Sequence, residues 1–511
     1  MLVFSLLLAL LLARLSGCAS VDFDAEKSTT YALTDTDDTY LGSYVSQLGD
    51  HPAGYSGFYL LGDSMSALGL RLLLELHAAR SIDVQYYTVA DDIIGQVFFT
   101  SLVRAADRGV RVRLLIDDIN TGGMDETLAA MDLHPNIELR LFNPFAYRNL
   151  RFMDIGDFSR VNRRMHNKSF TVDNQVTIIG GRNIATEYFA ANDEYNFSDL
   201  DLLAVGPVVE ETSRMFDAFW NHRNAVPYRR LSGQPEDGDQ RLTAFKASLK
   251  DNSEALRDTP YAAAIAQSLE QMIGDDDSFF EWAPYELVYD SPDKSISTEA
   301  ADNAASITTP LRASILQARE SLLVVSPYFV PRQSGINALC EIQDSGVQVD
   351  ILTNSLASSD HLLVHSGYAG ARKPLLSHGA RIYEMRGDVR VTGTRRAGTH
   401  RSSSSLHAKA FIVDERYFFM GSFNWDPRSA DINTELGVII DSPKIASKMA
   451  AAIIEALPAK SYEVFLNDDG ELRWREEVDG GVEIWDREPN TSFYTRFKAG
   501  LLRILPVESQ L

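Results

Sequence analysis

One pattern occurs twice in this chain and limits what it can fold into. Residues 165–173 read Met-His-Asn-Lys-Ser-Phe-Thr-Val-Asp, and residues 405–414 read Ser-Leu-His-Ala-Lys-Ala-Phe-Ile-Val-Asp. In both, lysine stands two residues after the histidine and aspartate seven after it. A glycine follows at fourteen (Gly180, Gly421), a small residue at fifteen (Gly181, Ser422) and an asparagine at seventeen (Asn183, Asn424). One such match arises by chance; two with the same spacing, in the two halves of one chain, mean a duplicated half-site.

The surroundings are duplicated as well. Ala67 to Ala79 carries leucine at helical spacing, Ser81 to Tyr87 reads as a strand, Gly95 to Asp107 as a second amphipathic helix and Gly109 to Asp117 as another strand. The same order returns with a helix at Leu311–Arg319 and strands at Leu322–Phe329 and Gly346–Leu352. Strand–helix–strand alternation predicts parallel strands in an α/β domain, and a period this long is not that of a solenoid. The expected fold is α/β: two pseudo-twofold-related domains, each a mixed central sheet flanked by helices. Their limits are set at 51–230 and 301–460, with a polar connecting segment at 231–300 and a C-terminal extension at 461–511. Within the connector, Tyr261 to Ile273 reads as a helix. In the extension, Phe493, Phe497, Leu501, Ile504 and Leu505 can share one helical face, expected to pack on its own domain rather than on a membrane.

The N-terminus stands apart. Met1 to Ser16 is almost wholly apolar with Arg14 as its only charge, short of the roughly 20 apolar residues of a membrane span. It reads as a signal peptide over 1–17. The ending Leu15-Ser16-Gly17-Cys18 resembles the bacterial lipobox, which implies cleavage before Cys18, lipidation of that residue and a tether over 18–50. Ala19 after Cys18 slightly favours the outer membrane. The other cysteine, Cys340, is then left without a partner and reads as a small buried hydrophobe. A net charge of −23 argues against nucleic acid as the main partner, because that binding rests on Lys and Arg neutralising phosphates.

The motif has a chemical reading. His407 and Lys409 alternate along an apparent strand from Leu406 to Val413 and so share a face. Asp414 begins a turn, and Tyr417–Met420 returns toward Gly421. The first motif builds the same hairpin with its turn at Asp173-Asn174. Each hairpin offers an imidazole, a fixed ammonium and an amide donor, a set suited to the oxygens of a phosphate in a five-coordinate transition state. Two copies supply two histidines: one to attack phosphorus, the other to protonate the leaving oxygen and then deprotonate the incoming hydroxyl. The residues alone leave open which one attacks. A nucleophilic histidine needs its second nitrogen held by an acceptor; the candidates are Glu435 after the second motif and Asp201 in the first half, with Asp199 or Glu194 as alternatives. Asp173 and Asp414 sit at turns, where Asp bonds local backbone, and are expected to be structural support. Leu61-Gly62-Asp63-Ser64 has the look of a lipase motif without its companions. His77, His134, His222, His361 and His378 are expected to be structural or solvent-facing.

The two motifs resemble the HKD motifs of the phospholipase D superfamily: His166, Lys168, Asp173 and Asn183 in one, His407, Lys409, Asp414, Ser422, Asn424 and Glu435 in the other. The likeness extends through Ser81–Asp118, Thr353-Asn354-Ser355, His365–Tyr368 and the Pro506–Leu511 ending. It is similar to the C-type branch of the bacterial cardiolipin synthases. The resemblance implies phosphatidyl transfer between phospholipids through a phosphohistidine, with no cofactor or metal, and with the first-motif histidine as nucleophile. Phosphatidylglycerol is the implied substrate and phosphatidylethanolamine a second one, at a periplasm-facing surface of the bacterial envelope; the need for an accessory protein is left open. One departure is Gly181 where the second motif has Ser422. A hydrolase of phospholipids is the alternative, and a nuclease-type phosphodiesterase a weaker one. Arg160, Arg163, Arg164, Arg395, Arg396 and Arg401, gathered near the motifs, are read as meeting anionic headgroups.

Overall fold

The computed structural model describes residues 20–192, 195–233, 235, 237–274, 279–297, 299, 305–387, 403–478 and 481–503. The leader, Cys18, Glu194, Arg395, Arg396, Arg401 and the Pro506–Leu511 ending lie outside them. The first half carries strands β1 (Tyr55–Leu61), β2 (Ser81–Tyr86), β3 (Arg111–Asp117), β4 (Ile137–Phe142), β5 (Ser169–Val172), β6 (Val176–Gly180), β7 (Tyr195–Ser198), β8 (Asp201–Val205) and β9 (Ala225–Pro227). The second carries β10 (Glu281–Tyr289), β11 (Ser321–Val325), β12 (Gln348–Asn354), β13 (Arg381–Met385), β14 (Ser403–Leu406), β15 (Ala410–Val413), β16 (Tyr417–Gly421), β17 (Leu436–Asp441), β18 (Ser461–Leu466), β19 (Leu472–Val478) and β20 (Gly481–Trp485).

The protein is a mixed α/β fold, and its pairings expose the duplication. In the first half β2, β3 and β4 are parallel, β2 is flanked by antiparallel β5, and β6, β8 and β1 follow. In the second half β11, β12 and β13 are parallel, with β15, β16, β17 and β10 in the matching places. The two sheets join where β1 pairs antiparallel with the first residues of β10, Tyr55 opposite Pro284 and Phe58 opposite Glu281. The pseudo-twofold relation therefore runs between these two strands.

Both faces of the central strands are covered, which is why they read as continuous apolar runs rather than alternating ones. One core lies on the outer face of the first sheet and includes Val84, Phe98, Leu114 and Phe170. Another lies on the outer face of the second, with Val324, Ile351, Phe411 and Tyr462. The core between the halves takes Leu202, Ala204, Phe216 and Trp220 from the first and Ile412, Phe418, Val438 and Ala446 from the second. Two helices, Pro207–Asn221 and Pro443–Lys460, contribute to that shared core. Separating the halves would expose it, so they form one folding unit at their interface.

Three segments differ from their sequence reading. Residues 20–50 do not hang free as a tether; they are strapped along the first half. Arg140 donates to Ser28 O at 2.6 Å, Arg113 to Thr30 O at 3.0 Å and Trp220 Nε1 to Thr30 Oγ1 at 2.9 Å. Polar side chains and backbone make this attachment, so the composition resembles that of a loop. The connector holds a second helix, Gly238–Arg257, beside the expected Pro260–Gly274. It rests on the helix Ile93–Asp107 through a thin stripe that includes buried Leu249. The extension adds β18 to the edge of β13, then β19 and β20, and ends in the helix Phe493–Leu502. That helix packs on Leu362–Tyr368 through buried Ala499, with Phe493, Tyr494, Phe497 and Leu501 exposed. The helix therefore packs on its own domain as expected, but through Ala499 and not through Phe493, Phe497 and Leu501; Ile504 and Leu505 lie outside the described residues. Among the described residues no helix is long and apolar enough to cross a membrane.

Candidate active site

The hairpin β5–β6 closes with Val172 opposite Val176, and β15–β16 with Val413 opposite Tyr417. Both turns take two consecutive residues at positive φ, Asp173-Asn174 at 51° each and Asp414-Glu415 at 53° and 48°. Each three-residue loop is closed by a bond from Gln175 N–H to Val172 O or from Arg416 N–H to Val413 O, both 3.0 Å, and Asp and Asn tolerate its left-handed residues. The turn aspartates also reach back to their own sheets. Asp173 accepts from the N–H groups of Ala79, Arg80 and Ser81 at 3.0, 2.7 and 2.9 Å. Asp414 accepts from Arg319, Glu320 and Ser321 at 3.0, 2.7 and 3.0 Å. Burial acts to raise the Asp414 pKa, and these three donors outweigh it, leaving the carboxyl below its ordinary value. Each aspartate thus ties its hairpin to the turn that starts β2 or β11. Asp173→Ala leaves three N–H groups without their acceptor, the buried one of Ser81 among them, so it should lower the unfolding free energy by about 2 kcal/mol in a urea titration.

The strand expected from Leu406 to Val413 is interrupted. It stops at Leu406 and resumes at Ala410, and His407 and Lys409 occupy the gap. His166 and Lys168 likewise precede β5. These segments bind the opposite half. β14 runs parallel to β7, His407 N–H and Ala408 N–H both donate to Ser198 O, at 2.8 and 3.0 Å. On the other side Met165 bridges Thr434, His166 N–H donates to Thr434 O at 2.9 Å, and Thr434 Oγ1 donates to Asn167 Oδ1 at 2.7 Å.

The imidazole partners cross over in the same way. His166 Nδ1 lies 2.8 Å from Glu435 Oε2, and His407 Nδ1 lies 2.5 Å from Asp199 Oδ2. Glu435 therefore serves the first motif, not the second it follows. Strand β16 lies between β15 and β17, which puts two strand spacings, roughly 10 Å, between the start of β15 and Glu435. The opposite half brings His166 within reach instead. With Nδ1–H donated to a carboxylate, Nε2 of each ring carries the lone pair for chemistry.

Asp201, the first choice for the first half, lies elsewhere. It pairs with Arg71 at 2.8 Å and Arg182 at 3.3 Å, and accepts Arg182 N–H at 3.2 Å. The register explains the slip: Gly180 faces Asp201 as Gly421 faces Gly437, so Glu435 corresponds to Asp199, two residues earlier. A shift of two keeps the face, and the pair Asp199/Asp201 looks equivalent until the register is fixed. Asp201 still supports the site at one remove, because Arg182 also donates to Asp199 O at 2.6 Å.

The difference between Gly181 and Ser422 follows from the acceptors. Ser422 Oγ donates a short hydrogen bond to Glu435 Oε2. At position 181 a Cβ would fall 2.2 Å from Asp199 Oδ1. Aspartate is one methylene shorter than glutamate, so its carboxylate sits closer to the hairpin and fills the space a serine needs. Asn183 Nδ2 donates to Tyr188 OH at 2.8 Å. Oδ1 of Asn183 and Oδ1 of Asn424 are both buried and accept no hydrogen bond among the described residues.

Lys168 and Lys409 are buried beside the histidines. Lys168 Nζ donates to His166 O at 2.6 Å and lies 5.3 Å from the Tyr87 ring centre. Lys409 Nζ is 2.7 Å from His407 Nδ1. Burial lowers the Lys168 pKa to about 7, although Glu435 opposes it, and lowers Lys409 to about 8 against Asp199. Burial and the same two ammonium groups push His166 well below its ordinary value. His407 falls only to about 4, because Asp199 counteracts burial and Lys409. Burial lifts Glu435 to about 7, while Asp199 stays far below the usual range: the charges of His407 and Lys409 and the imidazole hydrogen bond overcome its burial. Both rings are held below the ordinary value, and the carboxylate beside His407 is ionised while the one beside His166 is lifted toward neutrality. Lysines with lowered pKa values lose charge as pH rises, so any reaction that needs both ammonium groups should decline above about pH 7, where Lys168 loses its proton first. A pH–rate profile of kcat/KM reads that limb in the free protein, and a profile of kcat reads the upward shift that a phosphate between the lysines causes.

The motif pattern does not single out Tyr87 and Tyr188, which also line the site. Each ring meets a histidine edge to face, at 4.8 Å for His166 and 5.0 Å for His407. Only their place just after β2 and just after the first-motif asparagine hints at them. Asp117 and Asn354, at the ends of β3 and β12, accept Met165 N–H and Leu406 N–H at 2.8 and 2.9 Å and so fix the residue before each histidine. Arg160, Arg163 and Arg164 do not stand open for headgroups: Arg160 pairs with Asp157 at 2.5 Å, Arg163 donates to Lys294 O at 3.0 Å and Arg164 to Val161 O at 2.6 Å. Asp63 is the cap of the helix Ser64–His77, accepting Ser66 N–H at 2.7 Å, and accounts for the Gly-Asp-Ser look. His134, His222 and His378 each pair with an aspartate, and His77 stacks on Tyr40.

Comparison with known proteins agrees with this arrangement. Residues 73–220 and 311–456 match the family model described as cardiolipin synthase, PLD-like domain. The chain is 38% identical over 478 residues to cardiolipin synthase C of Escherichia coli K12, covering 92% of this chain and 99% of that protein. It is 31% identical over 504 residues to an uncharacterized protein of Helicobacter pylori, covering 96% and 97%. The crystal structure of phosphatidylserine synthase from Haemophilus influenzae Rd KW20 superposes with a TM-score of 0.54 at 12% identity, over 89% of this chain and 95% of that one, a likeness of fold.

Proposed function

Because the chain belongs to the phospholipase D-like cardiolipin synthase family and is a phospholipid-modifying enzyme of that superfamily, we propose that it transfers a phosphatidyl group from one membrane phospholipid to a hydroxyl of another, forming cardiolipin. The observation that carries this reading is the crossing of the halves: each histidine takes its carboxylate from the other half, so neither half is a site alone. His166 Nε2 attacks the phosphorus of the donor lipid, the bond from phosphorus to the headgroup oxygen breaks, and His407 supplies the proton that oxygen needs. His407 then takes the proton of the acceptor's glycerol hydroxyl as that oxygen attacks phosphorus and frees His166. Lys168, Lys409, Asn183 and Asn424 bind the phosphate oxygens, where charge builds up in the transition state.

The assignment of roles rests on electrostatics. His166, whose partner Glu435 is lifted by burial, is neutral and ready to attack; His407 has ionised Asp199 at 2.5 Å to stabilise its protonated form. A phosphodiester anion between the two lysines offsets the charge that keeps His407 low, so substrate binding itself readies the acid. Phosphatidylglycerol is the acceptor we favour, with phosphatidylglycerol or phosphatidylethanolamine as donor. In this reading the protein works at the periplasm-facing surface of the envelope, anchored at Cys18. Water in place of the acceptor would give a hydrolase, and exclusion of water decides between them. Mass spectrometry of phosphatidylglycerol vesicles incubated with the purified protein should find cardiolipin. Phosphatidic acid without cardiolipin would mean hydrolysis, and cleavage of DNA with neither lipid product would mean a nuclease.

A further inference from the structure

The loop between β4 and His166 carries a run of outward-facing apolar side chains that the catalytic proposal does not use. Leu150, Phe152, Ile155 and Phe158 are 48, 74, 77 and 53% exposed, on and beside a single stretch of 3-10 helix, Arg151–Asp157. The charged residues of the same loop turn inward or pair off. Arg148 bonds Asp118 at 2.6 Å and Asp125 at 2.6 Å, Arg151 bonds Asp118 at 3.1 Å, and Arg160 bonds Asp157. On a chain of net charge −23, this leaves a neutral, aromatic face. Exposed apolar residues grouped in this way mark an interaction surface.

Two further observations say what that is. The loop springs from the carboxyl end of β4, the edge of the parallel strands where β5 begins beside Gln85 and where His166 sits. The described chain also starts there: Ser20, Val21 and Asp22 line the same hollow as Leu150, and Phe23 lies under Arg160 at 5.3 Å. The helix Phe493–Leu502 adds exposed Phe493 and Phe497 in the second half, packed on the helix that follows the carboxyl end of β12. We infer that this edge is the membrane-docking face: Leu150, Phe152, Ile155 and Phe158 enter the interface of a phospholipid bilayer and set the mouth of the site against the headgroups. Net negative charge gives no attraction to anionic lipid, so apolar insertion supplies the contact. The inference rests on the proposed lipid substrate and adds a surface distinct from any anchor at Cys18.

The test uses the full chain reconstituted in vesicles of phosphatidylethanolamine and phosphatidylglycerol with brominated acyl chains. Phe152→Trp provides a reporter on this face. Leu76→Trp provides one at the opposite edge, where Leu76 is 64% exposed before β2. Difference fluorescence against the unsubstituted chain should show quenching by bromine at position 152 and none at 76. In parallel, the double variant Phe152→Glu, Ile155→Glu should lose about tenfold or more of its turnover on vesicles. Its turnover of short-chain, monomeric phosphatidylglycerol should stay unchanged, which also shows that the variant is folded. Equal quenching at both positions, no quenching at 152, or unchanged vesicle turnover in the double variant overturns the inference. So does a reporter at 152 that is shielded without lipid in a concentration-dependent way, which would mean that a second copy covers the face. If no lipid in either form is turned over while position 152 is still quenched, the docking face stands and the proposed activity falls.

Discussion

His166→Ala is expected to lower phosphatidyl transfer by about ten-thousand-fold or more, with no lipid-linked enzyme formed at any pH. The size of the effect follows from its role: without the nucleophile, displacement at phosphorus must proceed directly between two lipid headgroups, and Lys168 and Lys409 can only stabilise charge. His407→Ala should cost a similar factor in overall turnover but differ in kind. The first displacement needs a proton for the leaving oxygen and the second needs a base, so a donor with a good leaving group bypasses only the first. With such a donor, the His407 variant should accumulate labelled enzyme that turns over slowly, and the His166 variant should accumulate none. Quenched-flow measurement of both variants reads this difference.

The second large effect tests the crossing. Asp199→Asn keeps the shape of the group 2.5 Å from His407 Nδ1 but removes its charge and favours the wrong tautomer. A loss of about a thousandfold or more in overall turnover is expected, in both of the proton transfers that His407 serves. Release of the phosphatidyl group to the acceptor should slow, while labelling with a good-leaving-group donor should persist. Glu435→Gln, next to His166 in the other half, should instead slow the labelling itself. If the acceptors served the motifs they follow in sequence, the two phenotypes would be exchanged. Asp201→Asn should cost far less than Asp199→Asn, since its partners are Arg71 and Arg182 rather than an imidazole.

The parts of this arrangement differ in how legible they are in the sequence, for physical reasons. The hairpins are plain because the spacing from histidine to turn aspartate to glycine is dictated by backbone pairing: Ala410 must face Met420 and Ser169 must face Ile179. The parallel strands are plain because β-branched and leucine-rich runs buried on both faces leave little ambiguity. The joining of the two sheets through β1 and β10 is not, since Phe279-Phe280-Glu281-Trp282 reads only as an aromatic cluster. The helix Gly238–Arg257 is missed because its apolar stripe is narrow, and the strap over residues 20–50 because backbone and hydroxyl contacts fix it. The crossed carboxylates are the clearest case. Nothing local marks Asp199 over Asp201; the β6–β8 register and the packing of one half against the other decide it, and both are long-range. The asymmetry of Gly181 and Ser422, visible from the start as a departure, becomes intelligible only when a Cβ at 181 is seen to meet Asp199.

The most direct measurement labels the phosphorus of phosphatidylglycerol, mixes it with the unsubstituted protein, quenches in alkaline detergent within the first turnover, and maps the label by peptide mass spectrometry. A phosphorus–nitrogen bond on histidine survives alkali and is lost in acid. The proposed pathway requires the label on the peptide that contains His166, acid-labile, and, when the labelled donor carries a good leaving group, at higher occupancy in Asp199→Asn than in the unsubstituted protein. Label on the His407 peptide, or unlabelled enzyme that still forms cardiolipin, would contradict it.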